Sequence, residues 1–150
     1  VAVKALTLGN VSKMYSLCKS SVQSNVAKEF PGVSTEDLIG MLDMLTRVRN
    51  VCAHSERLYD FSVIDKRAIP NIHATIGISK TKAGLYRQGK TDLFAALICL
   101  KYLLDAKDFA CTCTNISSAL ACLCNETKQI PPNKILSCMG FPMNWIDILN

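Results

Sequence analysis

The sequence predicts an all-α protein, built as a bundle of four or five helices. Two observations favour this fold class. Apolar residues recur at helical spacing along most of the chain, and 49% of the residues are apolar against 19% that are charged, as in a folded globular protein. A third observation concerns size, because 150 residues suffice for one domain with a hydrophobic core and are too few for two.

The first predicted helix runs from Asn10 to a stop at Pro31 and Gly32. Asn10 is a suitable N-cap, because its side chain can accept a hydrogen bond from an unpaired backbone N–H. Apolar residues at helical spacing form one stripe along this segment: Val11, Met14, Cys18, Val22 and Val26. We therefore expect a helix with one apolar face.

A second helix is predicted to start directly afterwards. Ser34 is the expected N-cap, and Asp37 three residues later completes a capping-box arrangement with the shorter acid. The apolar stripe of this helix consists of Leu38, Met41, Leu42, Leu45, Val48 and Cys52. The stripe continues through "RNVCAH", so we expect residues 49–54 to lie on this helix, toward its C-terminal end.

Residues 60–90 show no sustained period and contain Pro70, Gly77, Gly84 and Gly89. We expect an extended loop here, with a short strand around "HATIGI". A loop of this length is unusual in a small domain and tends to be functional.

Helical spacing returns in the last third of the chain. One helix is predicted from Thr91, another around Thr114, and a short one at "PPNKILSCMG", which has proline in its first turn and Gly140 just after its end. The two longer helices carry the stripes Leu93, Leu97, Leu100, Leu104 and Ile116, Leu120, Leu123, Thr127. The tail "FPMNWIDILN" is expected to anchor itself in the core through Trp145.

Positive charge is concentrated in the predicted loop. Residues 65–90 carry six of the chain's 17 basic residues and one of its 12 acids, so that elsewhere bases and acids are equal in number. The basic residues of this segment are Lys66, Arg67, Lys80, Lys82, Arg87 and Lys90. A concentrated basic patch attracts polyanions, and the phosphate backbone of RNA is the functional interpretation. The alternative is a solvated loop whose lysines aid solubility.

The sequence also argues against a membrane protein. No apolar run approaches the roughly 20 residues of a membrane-spanning helix, and "VAVKALTLGN" lacks the features of a signal peptide. Most of the eight cysteines lie inside apolar helical patterns, where Cys acts as a small hydrophobe. We therefore expect a reducing, cytoplasmic location and no membrane partner.

The cysteine pairs Cys111/Cys113 and Cys122/Cys124 raise the alternative of a zinc site. Zinc modules usually place two cysteines about two to four residues apart on turns, whereas Cys122 and Cys124 would point to different sides of a helix. We interpret these residues as small core side chains and expect neither a metal ion nor another cofactor.

The stretch "RNVCAHSERLYD" gathers groups that suit chemistry on a phosphate. Asn50 and His54 are four residues apart and share a helix face. Arg49 lies about 140° away round the helix, but its long side chain can swing toward that face, and Arg57 borders the same region. The alternative is a solvated helix face, with an exposed arginine and a histidine favoured by the helix dipole.

These groups are suited to cleaving RNA without a metal ion. The 2′-hydroxyl must lose a proton as it attacks phosphorus, and the departing 5′-oxygen must gain one; an imidazole performs either transfer near neutral pH. The guanidinium of Arg49 can stabilise the charge that builds up on the phosphate. One chain supplies one such imidazole, so a two-fold homodimer would provide both the acid and the base.

Three other side chains have two interpretations each. His73, in the basic loop, is either a second proton-transfer residue or an exposed histidine without a role. Tyr59 and Tyr86 either stack on unpaired bases or cover the edge of the core.

At the level of the whole chain, the alternatives to an enzyme are a non-catalytic RNA-binding or protein-interaction module and a purely structural helical domain.

"RNVCAHSERLYD" resembles the Arg-Asn-x3-His segment of the HEPN ribonuclease superfamily, and in particular the Abi family of AbiD/AbiF-like abortive-infection proteins of bacteria. "LTLGNVSKMYSLC", "TDLFAALICLKYLL" and "MGFPMNW" resemble segments of that family in the same order. The sequence departs from the family at Ser55, where many members have a second histidine.

This resemblance implies a single HEPN-like domain over residues 1–150, folded as a dimerising α-bundle, with Arg49 and His54 as the catalytic pair and Asn50 as the polar residue that follows the arginine. It also implies an RNase toxin that halts growth during phage infection and is held in check by an antitoxin of RNA or protein. The chain lacks an initiating Met, and we expect it to be the C-terminal part of a longer Abi protein.

Overall fold

The computed structural model describes residues 6–63, 70–127 and 129–149, and these residues confirm the all-α class. Within these ranges there are eight helices, numbered in chain order. They are α1 (Leu8–Leu17), α2 (Ser20–Ala27), α3 (Thr35–Ala53), α4 (Pro70–Thr75), α5 (Leu93–Leu103), α6 (Ala106–Glu126), α7 (Pro132–Cys138) and α8 (Trp145–Leu149). Among them, no helix is both long enough and apolar enough to span a membrane.

The chain divides into two compact units, Val1–Leu58 and Tyr59–Asn150. The first unit contains α1, α2 and α3, and the second contains α4 to α8. The single HEPN-like domain expected from the sequence stays a prediction.

In the first unit, the predicted helix from Asn10 to Pro31 is two helices, and this expectation was wrong. The N-cap is Thr7, whose hydroxyl accepts a hydrogen bond from the Asn10 N–H at 3.3 Å. Helix α1 ends at Leu17, because the backbone at Cys18 is extended, with φ −66° and ψ 156°.

The break between α1 and α2 is held by two side chains. The Gln23 amide donates to the Tyr15 carbonyl at 2.9 Å and to the Ser16 carbonyl at 3.1 Å, while the Tyr15 hydroxyl donates to the Gln23 carbonyl at 2.9 Å. These bonds satisfy carbonyl groups that a helix end leaves unpaired. Met14, Val22 and Val26 of the predicted stripe are 43%, 46% and 39% exposed, so the stripe does not form a buried face.

Helix α3 follows the sequence prediction closely. Ser34 and Asp37 form the expected capping box, in which each side chain accepts a hydrogen bond from the other residue's backbone N–H. Leu38, Met41 and Met44 are buried, and α1 and α2 both pack on α3. This packing fixes the helix that carries Arg49, Asn50 and His54 near its end.

The second unit is organised around α5. Asp92 caps this helix by accepting the Ala95 N–H at 2.9 Å, and every residue from Phe94 to Cys99 is buried. A helix that is apolar on all sides belongs in the middle of a core. Phe141 packs against Phe94 and Trp145, with ring centroids 5.4 Å apart in each pair, which confirms Trp145 as the anchor of the tail.

One element boundary in this unit differs from the prediction, and one short helix agrees with it. Helix α6 begins at Ala106 and not around Thr114; Asp105 caps it by accepting the Asp108 N–H at 2.8 Å. Leu120 is its one buried residue among those described. Phe109 and Cys113 continue its apolar stripe toward the N-terminus, and the sequence prediction missed this part of the stripe. Helix α7 lies where "PPNKILSCMG" predicted it, with a proline in its first turn.

The strand expected around "HATIGI" was also wrong, because His73 to Thr75 belong to helix α4. Gly77, at φ +72°, adopts the left-handed conformation that ends helices. The Ile78 N–H then bonds back to the His73 carbonyl at 3.1 Å, which closes the helix end. With only six residues, α4 is too short to show a helical period.

Candidate active site at the end of helix α3

Helix α3 ends immediately before His54, its C-cap residue. The Glu56 N–H bonds to the Val51 carbonyl at 3.0 Å, and the Ser55 N–H bonds to the Cys52 carbonyl at 3.2 Å. This pair of bonds is a Schellman motif, which requires a left-handed residue just after the cap. Ser55 occupies that position at φ +54° and is the one non-glycine residue with positive φ in the described ranges.

Arg49 and Asn50 lie on the last turn and a half of α3, and both are exposed. The Arg49 guanidinium donates through Nη1 to the Asn50 side-chain oxygen at 3.2 Å. A guanidinium has five N–H donors, so this contact leaves others available on the exposed side chain. The amide therefore orients Arg49 without neutralising its charge.

His54 is exposed at the end of the same helix. Its backbone N–H donates to the Asn50 carbonyl at 3.0 Å, so the helical hydrogen bonds continue to the histidine itself. In the described ranges, no hydrogen bond joins the His54 ring to the Arg49 guanidinium. The two groups share the end of one rigid helix, and both are accessible to a phosphate from solvent.

The other predicted RNA-binding residues fall into three groups. Arg57 is exposed just after the end of α3. In the second unit, Lys80, Lys82 and Arg87 are exposed and Lys90 is half-buried. Lys66 and Arg67 lie outside the described residues.

His73 has a role that neither sequence interpretation anticipated. It is 1% exposed, its Nε2 lies 2.6 Å from the Gly89 carbonyl oxygen, and its ring centroid is 4.9 Å from that of Tyr86. The expectation of an exposed histidine was therefore wrong, and a buried ring is poorly placed for proton transfer to a substrate. Tyr86 is buried, as the core-edge interpretation expected, whereas Tyr59 is 51% exposed.

Asp92 links this histidine region to α5. Its carboxylate accepts the Gly89 N–H at 3.1 Å as well as the Ala95 N–H that it caps. Burial raises the pKa of the Asp92 carboxyl above its ordinary value, although these two N–H groups and the nearby His73 act in the opposite direction. Asp92 directly precedes the apolar run that starts at Leu93, and an aspartate in that place is an N-cap signal. No pattern in the sequence marks His73.

The eight cysteines are all free thiols. Cys99 is buried within α5, and burial raises the pKa of its thiol to about 12. Cys111 and Cys122 are exposed and Cys113 and Cys124 are half-buried, so the interpretation of all four as core residues was wrong for the exposed pair. Within the described ranges, no three His, Cys, Asp or Glu side chains form a group that could hold a metal ion.

Comparison with known proteins links the first unit to one family. Residues 1–60 match the family model described as "Abi-like protein". The match includes Arg49, Asn50 and His54 and ends close to Leu58, the last residue of the first unit. No curated protein and no solved structure matches the chain.

The first unit is thus similar to Abi-like proteins, as the resemblance of "RNVCAHSERLYD" indicated. The similar segments further along the chain, "TDLFAALICLKYLL" and "MGFPMNW", lie outside the matched residues. For these segments, the resemblance stays a prediction.

Proposed function

We propose that this chain is a metal-independent, HEPN-type endoribonuclease in which Arg49 binds the scissile phosphate, His54 transfers a proton and Asn50 orients the arginine. One observation carries the proposal. An oriented guanidinium and an imidazole are both exposed at the end of one capped helix, inside the segment that matches Abi-like proteins.

The proposed reaction is an internal transesterification. The 2′-hydroxyl oxygen forms a bond to phosphorus while the bond from phosphorus to the 5′-oxygen breaks, which leaves a 2′,3′-cyclic phosphate and a 5′-hydroxyl. An imidazole accepts the proton of the 2′-hydroxyl or protonates the departing oxygen. Arg49 stabilises the negative charge that accumulates on the phosphate oxygens.

The reaction needs one group that removes a proton and one that supplies it. Because each chain brings a single exposed imidazole at this site, we propose a homodimer in which two copies of His54 serve one substrate. Arg57, Lys66, Arg67, Lys80, Lys82, Arg87 and Lys90 are the proposed contacts to RNA phosphates.

The proposed biological role is supported by the similarity of residues 1–60 to Abi-like proteins. We propose that the enzyme acts in the cytoplasm as an abortive-infection toxin, cutting RNA to halt growth during phage infection. Such an activity must be inhibited when it is not needed, and an antitoxin of RNA or protein is the proposed partner that inhibits it.

The test is the cleavage of single-stranded RNA by Arg49→Ala and His54→Ala variants. Each change is expected to reduce the cleavage rate by about 100-fold or more, because each removes a group that acts in the transition state. Both residues are exposed, so the fold should survive, which circular dichroism would verify.

Arg47→Ala is the matched control. Arg47 lies on the same helix and is exposed, but it forms an ion pair with Asp43 at 2.8 Å. An exposed ion pair of this kind contributes about 0.3–0.5 kcal/mol to stability, so this variant should cut RNA at the wild-type rate. Wild-type cleavage by both Arg49→Ala and His54→Ala would refute the proposed function.

A non-catalytic RNA-binding or protein-interaction module is the second candidate. The exposed cations of the second unit, Lys80, Lys82 and Arg87, fit such a module as well as an enzyme, because binding to phosphates needs exposed positive charge but no imidazole. Such a module would bind RNA and leave its length unchanged. Gel analysis of an RNA incubated with the wild-type chain separates the two candidates.

A further inference from the structure

Residues 79–87 of the second unit form a short hairpin, which we call the basic arm. The Thr81 N–H donates to the Leu85 carbonyl at 2.7 Å, and the Arg87 N–H donates to the Ser79 carbonyl at 3.0 Å. Between these bonds, Lys80 and Tyr86 face each other as an antiparallel bridge. The segment that the sequence presented as a featureless loop therefore has a defined shape.

Three of the predicted RNA-binding residues lie on this arm: Lys80, Lys82 and Arg87. All three are exposed, and in the ranges that the structure describes none of them forms an ion pair with an acid. Lys80 Nζ sits 4.7 Å from the centre of the Tyr86 ring, and Arg87 Nε donates to the Lys80 carbonyl at 3.4 Å. The arm thus holds Lys80 and Arg87 by contacts that do not neutralise their charges, and it carries Lys82 as a third exposed cation.

A hairpin of this length is marginally stable in water on its own, and three like charges make it less so. The basic arm therefore depends on contacts at its base, by which we mean Tyr86 and Gly89. There, His73 contributes two contacts, a ring contact with Tyr86 and a hydrogen bond between Nε2 and the Gly89 carbonyl. Because His73 is on α4, these contacts tie the arm to that helix.

The chain leaving the arm is fixed by Gly89. Its φ of +73° is one that side-chain-bearing residues rarely adopt, and a Cβ at this position would lie 2.6 Å from Ile98 Cδ1. The Gly89 N–H donates to Asp92, the cap of α5. The base of the arm is thus bound to His73 of α4 and to Asp92, the cap of α5, and Ile98 leaves no room for a side chain at Gly89.

We propose that the basic arm is a preformed binding site for the phosphate backbone of single-stranded RNA, and that His73 is its positioning residue. This inference rests on the proposed action on RNA. Binding to a preformed site requires less ordering of side chains and backbone than binding to a flexible loop. Exposed cations that form no ion pair with the acids of the described residues are available to displace the counterions of RNA phosphates.

The first experiment measures binding of the full chain to a mixed-sequence, 2′-O-methylated single-stranded RNA at several salt concentrations. This probe keeps the phosphates but lacks the 2′-hydroxyl that the proposed cleavage requires. Replacing Lys80, Lys82 and Arg87 together by Ala should weaken binding about tenfold or more and reduce the salt dependence, d log K/d log [salt], by about 2. Lys107→Ala, which removes an exposed lysine of α6, is the control and should leave both values unchanged.

The second experiment tests His73 with all the arm's charges in place. His73→Phe keeps a ring beside Tyr86 but removes the hydrogen bond to Gly89, and it should weaken RNA binding roughly threefold to tenfold. His73→Gln retains an N–H donor and should restore most of the affinity. Binding is measured well below each variant's unfolding temperature, so that a change in affinity reports on the arm and not on the folded fraction.

Several results would overturn the inference. One is wild-type affinity and salt dependence in the triple variant, and another is wild-type affinity in a folded His73→Phe chain. A third concerns Leu85, which is 62% exposed on the arm. If the chain binds phosphatidylglycerol vesicles more tightly than RNA, and Leu85→Ser abolishes only the vesicle binding, the arm contacts membranes and the RNA assignment is wrong.

The inference and the proposed function fail in different assays. Loss of RNA binding in the arm variants, with wild-type cleavage by both Arg49→Ala and His54→Ala, supports the arm and refutes the catalytic pair. Cleavage that depends on Arg49 and His54, with unaltered binding in the arm variants, supports the enzyme and refutes the arm.

Discussion

The chain's two histidines lie in opposite environments. His54 is exposed at the end of α3, where its ring makes no hydrogen bond within the described ranges. His73 is 1% exposed, with its ring against Tyr86 and its Nε2 2.6 Å from the Gly89 carbonyl. The comparison separates two uses of one residue type, because an exposed imidazole can exchange protons with a substrate whereas a buried, bonded one holds backbone in place.

The structures around the two histidines also differ, since one is local in sequence and the other is not. The end of α3 is a local structure, closed by hydrogen bonds between residues 50–56. The region of His73 depends on residues distant in sequence, since His73 bonds to the Gly89 carbonyl and a Cβ on Gly89 would collide with Ile98. A change at His54 should therefore affect chemistry and leave stability intact, whereas a change at His73 should affect stability first.

The largest expected contrast in stability is between His73→Ala and His54→Ala, and it comes from the loss of stability in His73→Ala. This change leaves a cavity and an unpaired carbonyl at Gly89, which together should lower the free energy of unfolding by about 2–4 kcal/mol. His54→Ala, at an exposed site, should change it by less than about 0.5 kcal/mol. Urea denaturation of the two variants measures both values, and equal losses would contradict the contrast between the histidines.

The next largest contrast in stability is between alanine variants of two glycines with similar backbone angles. Gly84 and Gly89 have φ values of +78° and +73°, but only Gly89 is crowded, by Ile98, Ile78 and His73. Gly84→Ala should cost about 1–2 kcal/mol from backbone strain alone, and Gly89→Ala should cost about 1–3 kcal/mol more from overpacking. Thermal unfolding of both variants would show whether the base of the basic arm is as tightly packed as the contacts indicate; equal losses would mean that it is not.

The smallest effect concerns the turn after His54. Ser55→Gly relieves a left-handed conformation and should raise the free energy of unfolding by about 0.5–1 kcal/mol. Ser55→Ala keeps a Cβ and should stay within about 0.5 kcal/mol of the wild type. A lower unfolding temperature in Ser55→Gly would show that the Schellman motif is not formed.

The sequence predicted those helices whose signals are local. Helix α3 shows both a capping box and a run of apolar residues, and its start at Thr35 follows from them; its end before His54 was not predicted, since residues 49–54 were expected to lie on the helix. The break at Cys18 was missed because it depends on the contact between Tyr15 and Gln23. The sequence pattern alone allows an unbroken helix through that point.

The distinction between local signals and contacts among distant residues also applies to the functional residues. Arg49, Asn50 and His54 could be placed together from their spacing on one helix, and the structure shows them exposed at its end. The burial of His73 could not be read from the sequence, because it arises from packing between α4, the basic arm and α5. Spacing along one helix is a local property, whereas burial of a polar side chain depends on the whole unit.

The central claim is that Arg49 and His54 cleave RNA by transesterification, and the ends of the RNA products test it most directly. Mass spectrometry of a single-stranded RNA incubated with the wild-type chain should find 2′,3′-cyclic phosphate and 5′-hydroxyl ends, and His54→Ala should produce neither. Uncut RNA with the wild-type chain, or the same ends in the same yield from His54→Ala, would contradict the account.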